Sequence, residues 1–136
     1  MKRVCVCFLA SVAILATTKA QPAGDVSILI GDWAGDSVCM VSGSGCHNEK
    51  VVWHLARVPD KPGWVAVRGD RLDSGKAVAM GTLEFRWDPE SHTILCEGAP
   101  GIWRLTLDGT RLEGTLAKPD KSLFRRVFLR RVAADK

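Results

Sequence analysis

Ile102-Trp103-Arg104-Leu105-Thr106-Leu107-Asp108-Gly109-Thr110-Arg111-Leu112-Glu113-Gly114-Thr115-Leu116 is the stretch that decides the fold. Apolar and polar residues alternate on both sides of Asp108-Gly109, the dipeptide a two-residue type I′ hairpin prefers because both central residues need φ > 0. Folding about that turn sets Leu107 opposite Thr110, Leu105 opposite Leu112 and Trp103 opposite Gly114, an apolar face that Leu116 extends. The other face pairs Thr106 with Arg111 and Arg104 with Glu113, an opposite-charge pair across the strands. A one-residue slip moves Trp103 and its leucines into water, so the face is strongly specified. A lone hairpin is marginal in water, and the rest of the chain must supply more sheet.

Outward from this hairpin the pattern repeats. Strands are expected over residues 28–41, 51–58, 64–69, 76–87 and 93–96 before it and over 123–132 after it. Val51, Trp53 and Leu55 share an inward face, as do Leu83, Phe85 and Trp87, and Gly81 marks a bulge in the longest strand. A helix starting at Asn48 competes for residues 51–58, since Asn caps well and Glu49 suits a first turn, but the β-branched and aromatic content favours a strand. Asp60-Lys61-Pro62-Gly63, Asp73-Ser74-Gly75, Asp88-Pro89-Glu90-Ser91 and Lys118-Pro119-Asp120 carry turn chemistry. Eight short strands with short turns predict an all-β fold, a small eight-stranded antiparallel up-and-down barrel, with a two-sheet sandwich as the alternative. The many large inward side chains count against a roomy cavity, and whether the interior is filled stays open.

Residues 1–20 read as a secretory signal: Lys2 and Arg3, an apolar run, then small residues around a cut after Ala20. The run is too short to span a bilayer. A single domain over residues 21–136 follows, placed in the periplasm or outside the cell. Loss of Lys2, Arg3 and Lys19 takes the 19 basic residues to 16 against an unchanged 15 acidic ones, so a net charge of +4 falls to about +1. Such a balance argues against nucleic acid as a partner. Cys39, Cys46 and Cys96 remain, and export favours a disulfide. Cys39 with Cys46 is the expected pair, joined through a flexible glycine-serine connector; the alternative ties Cys96 to one of them.

Chemistry-bearing residues are sparse. Cys46, His47 and Glu49 form the one cluster of metal-ligand types, too thin to predict a metal once Cys46 is in a disulfide. Asp32 and Asp36 flank Trp33 and could form a carboxylate pair at a barrel mouth, but strand-end solubilisation is the simpler reading, since a general acid or base also needs a partner and a cleft. No Gly-x-Ser-x-Gly, phosphate loop or His-Glu-x-x-His occurs, so neither an enzyme nor a cofactor is expected. Arg125, Arg126, Arg130 and Arg131 form doublets that straddle both faces of the last strand. They read as protection of a sheet edge or as an interaction surface for an acidic partner.

Gly31-x-Trp33 at the start of the first strand, the eight-strand meander and the arginines of the last strand resemble the calycin superfamily, which includes lipocalins, fatty-acid-binding proteins and avidins. The resemblance implies that Trp33 plugs one barrel end and that Arg125, Arg126, Arg130 or Arg131 packs across it. The lipocalin Thr-Asp-Tyr motif is absent, the chain having no tyrosine. The chain also resembles small exported bacterial proteins, a likeness that implies no activity. The expected function is a non-catalytic binding barrel for a small apolar ligand, with Trp33, Trp53, Trp87 and Trp103 as candidate ligand contacts. The alternative is an exported protein-interaction module, such as an inhibitor of an extracellular enzyme.

Overall fold

In a computed structural model the chain is described over residues 24–43, 45–98 and 100–134. The expected signal segment lies outside the described residues. A short 3₁₀ turn, Ser27–Leu29, leads into eight strands: β1 Gly31–Cys39, β2 Glu49–Arg57, β3 Trp64–Asp73, β4 Lys76–Asp88, β5 Thr93–Gly98, β6 Gly101–Asp108, β7 Arg111–Ala117 and β8 Leu123–Arg131. Each pairs antiparallel with the next and β8 returns to β1, which closes an up-and-down barrel. The segment that had a competing helical reading is strand β2.

Period-two alternation explains which side chains fill the interior. Trp33, Leu55, Val65, Trp87, Ile94, Leu107, Leu112 and Leu129 are buried toward one end, with Val51, Trp53, Val67, Phe85, Leu105 and Val127 above them. Val26 and Leu29, from the segment before β1, are buried against this cluster and stop the lower end. Gly81, at φ 112, follows a bulge: Gly69 faces Gly81 while Asp70 faces Ala79, so Met80 is the extra residue. Only glycine adopts that angle without strain.

The hairpin that defines the fold keeps its faces but not its expected register. Asp108 pairs with Arg111, Leu107 with Leu112, Leu105 with Gly114 and Trp103 with Leu116, so the turn residues are Gly109 and Thr110. Gly109, at φ 59, takes the first central position, which a type II′ turn reserves for glycine. Asp108 stays in the strand, and its carboxylate accepts a 2.8 Å bond from Arg111. Thr106 therefore faces Glu113 and Arg104 faces Thr115, which removes the expected Arg104–Glu113 pair.

The wall is not equally tight all round. The β4–β5 seam has three pairs, Arg86 with Leu95, Trp87 with Ile94 and Asp88 with Thr93. Continuing that register would set Glu84 directly opposite Glu97, and like charges facing each other across strands are destabilising. Lys61, in the turn between β2 and β3, holds Glu84 at 2.5 Å. Above Arg86 the two strands pair only with their outer neighbours, β3 and β6, among the described residues.

Candidate functional site

The barrel has one closed end and one open end, and both are decided by which inward residues the strands place there. At the closed end Trp33 is fully buried, and its indole Nε1 donates to the Leu29 carbonyl at 2.9 Å. Arg131, inward-facing at the end of β8, lies with its guanidinium 4.3 Å from the centroid of that ring. It also donates to the carbonyl of Ile30 at 2.9 Å and to that of Ile28. One side chain thus clamps the plug segment onto the tryptophan.

At the open end the interior is not filled. A cavity of about 370 Å³ is lined by Val51, Trp53, Val67, Phe85, Trp103 and Leu116 along its depth. Met80, Leu83 and Pro100 lie on the side of the open seam, and Ser37, Glu49 and Arg125 on the polar side. The many large inward side chains thus leave a modest cavity, which answers the question the sequence left open. Gly69, inward-facing beside Trp53, adds no side chain, and upper β4 departs from β5 instead of bringing its apolar residues across. Trp53 stands edge-on to Trp103, with centroids 5.4 Å apart and planes at 82°, and is tilted against Phe85 at 6.2 Å. Such aromatic pairs contribute about 0.5–1.5 kcal/mol beyond burial and make a stiff wall.

Arg125 is the charged group of this mouth, with 14% of its side chain exposed. Its Nη1 donates to the Ser37 hydroxyl and to the His47 carbonyl, each at 3.1 Å, and lies 3.7 Å from a Glu49 carboxylate oxygen. These contacts fix the guanidinium through Nη1, and its Nη2 has no hydrogen-bond partner among the described residues.

The candidate tryptophans divide. Trp53 and Trp103 line the cavity; Trp33 lies at the opposite end under Arg131, and Trp87 is buried beside His92, stacked at 6.1 Å, so neither of these two is a cavity contact. The arginines divide as well. Arg125 and Arg131 face inward at opposite ends, while Arg126 and Arg130 are exposed on the outer face with the half-exposed ring of Phe128 between them. No continuous surface of four arginines exists.

Cys39 and Cys46 form a disulfide, with Cα atoms 5.9 Å apart, that shortens the β1–β2 connection, and Cys96 is a free, partly buried thiol. Burial pushes that thiol above its ordinary range, and the neighbouring Glu97 adds to the effect. With Cys46 bridged and Glu49 beside Arg125, no group of three His, Cys, Asp or Glu among the described residues is arranged to hold a metal. Asp32 and Asp36 do not form an acid–base pair. Asp36 meets Lys50 at 2.5 Å, and Asp32 meets His54 Nδ1 at 2.7 Å. His54 Nε2 lies 2.9 Å from Asp70, so this outward-facing ring is held between two carboxylates; both contacts are hydrogen bonds only when each nitrogen carries a proton.

Sequence reasoning missed the polar mouth and the His54 clamp. Arg125 was already a candidate, as an interaction surface or a cover for Trp33 and not as part of this mouth; Ser37 could have been found by phase, since it continues the inward series of Trp33. Compared with protein-family models and with curated proteins, the sequence gives no match. No helix among the described residues is long and apolar enough to cross a membrane.

Proposed function

We propose that this chain is an exported, non-catalytic binding barrel of the calycin kind that takes a small apolar molecule through its open end. The observation that carries the reading is the 370 Å³ apolar cavity walled by Trp53, Phe85 and Trp103. That volume is near the lower end of the roughly 300–1,000 Å³ of small-molecule sites. The clamped plug of Trp33 and Arg131 at the opposite end supports the same reading, as do a disulfide suited to an oxidising compartment and the signal-like first twenty residues. The polar rim orients the ligand: an apolar body lies against the tryptophans and a polar end meets Arg125. A medium-chain amphiphile such as decanoate has that shape.

The test is calorimetric titration of the protein with decanoate, decanol and retinol, in parallel with tryptophan emission. Saturable one-to-one binding of at least one member, with a shifted emission, is the expected result. Heats of dilution only, with unchanged emission across the set, would remove the proposal.

A further inference from the structure

The open half of the β4–β5 seam is a second recognition feature, built from strand edges beside the cavity mouth. Residues 76–85 of β4 are hydrogen-bonded to β3 alone, and residues 96–98 of β5 to β6 alone, among the described residues. Two strand edges therefore present unpaired backbone N–H and C=O groups to the same slot. Such edges are templates for another strand unless they are shortened, charged or covered. This one is long and weakly guarded. From Ala77 to Phe85 its only charged side chain is Glu84, it contains no proline, and Met80 and Leu83 are 44% and 42% exposed.

The two sides of the slot differ in chemistry. On the inner side it opens into the cavity beside Met80, Leu83, Pro100 and Trp103. On the outer side Glu84 and Glu97 line a groove of about 290 Å³ together with Trp64, Arg86, Leu95 and Cys96. Arg86 belongs to the zipped part of the seam, and Lys61 already meets Glu84, which leaves the Glu97 carboxylate facing the slot.

We propose that this slot binds an extended peptide strand with alternating apolar and basic residues. The guest's backbone bonds to the β4 and β5 edges, running antiparallel to one and parallel to the other, because β4 and β5 are themselves antiparallel. Successive side chains of a strand point to opposite faces. Apolar ones enter the cavity mouth beside Leu83 and Trp103, and a basic one meets Glu97 outside, Glu84 being already held by Lys61. This is strand addition, in which main-chain bonds give affinity and alternate side chains give specificity.

The test is titration of the isotope-labelled full chain with acetylated and amidated Lys-Leu-Lys-Leu-Lys, read by amide shifts. Glu-Leu-Glu-Leu-Glu and a backbone N-methylated form of the basic peptide serve as comparisons. Saturable shifts confined to residues 76–85 and 96–98, and at least a tenfold weaker effect with both comparison peptides, are expected. The Glu97→Lys variant should lose the binding at least tenfold while gaining amide protection across the seam, since Lys now faces Glu84. Its dispersed spectrum would show that the fold survives. Equal binding of acidic and basic peptides, shifts elsewhere on the barrel, or no saturable shift would each overturn the assignment. A concentration-dependent dimer protected over residues 77–85 would assign the edge to a second copy and would overturn it too. None of these outcomes depends on whether decanoate binds.

Discussion

Arg125 and Arg131 come from one strand, about 20 Å apart along it, and their inward phase gives them opposite ends of the barrel. Arg131 fixes the closed end through the Trp33 ring and two plug carbonyls. Arg131→Met keeps the apolar stem but loses those contacts, and about 1–2 kcal/mol of stability is expected to go with it. Trp33→Ala removes a fully buried indole and should cost about 3–5 kcal/mol. Urea denaturation of the variants reads both figures, and equal losses for the two would contradict this division. Arg125 is predicted to act on the ligand instead. Arg125→Gln should weaken decanoate about tenfold, the equivalent of about 1.4 kcal/mol, and leave decanol within a factor of about two. A parallel loss for both ligands would show that Arg125 only shapes the wall.

At the scale of elements, three turns share one device. Asp25, Asp88 and Asp120 each accept a hydrogen bond from a nearby serine hydroxyl and from a backbone N–H, with Ser27, Ser91 with Glu90, and Ser122 as donors. These bonds favour the ionised form and hold all three carboxyls below the ordinary aspartate range. A lowered folded-state pKa contributes stability above the unfolded value and loses it as pH falls through the folded one. The triple Asp→Asn variant should therefore show a flatter dependence of the urea midpoint between about pH 5 and 2. An unchanged slope would mean the turns take no part in acid unfolding. Cys96 shifts the other way: its raised pKa favours the thiol, and its contribution holds at lower pH and falls as pH rises through the raised value. With the Cys39–Cys46 bridge intact, iodoacetamide should label Cys96 more slowly than free cysteine at pH 8 and catch up only in stronger alkali. Fast labelling at pH 8 would contradict the burial that the β5 edge gives it.

For the molecule as a whole, alternation carried most of the architecture. Trp53 with Val51 and Leu55, or Phe85 with Trp87, reveal their faces through a period of two, and Gly81 announced its bulge because its residue type is what a positive φ demands. The same period hides a two-residue shift in register. Trp103 faces inward whether it opposes Gly114 or Leu116, so only the turn geometry at Gly109 decides between them. The cavity was illegible for a related reason. Inward direction is a property of one strand, but free volume depends on how far neighbouring strands lie apart, and where β4 stops pairing with β5 is visible only once the Arg86–Leu95 register is known. Cys39 and Cys46 were legible because their connector is short. The end of the barrel to which each arginine goes was not, since doublets state phase without position.

The five tryptophans give the most direct measurement of the central claim, that the barrel is closed by Trp33 and open above Trp53 and Trp103. Each indole N–H gives one signal in a nitrogen-correlated NMR spectrum. With saturating decanoate, the signals of Trp53 and Trp103 should move while those of Trp33 at the clamped end and Trp64 on the outer face stay in place. Movement of Trp33 or Trp64 without Trp53 and Trp103, or five unmoved signals, would contradict a ligand cavity at the open end.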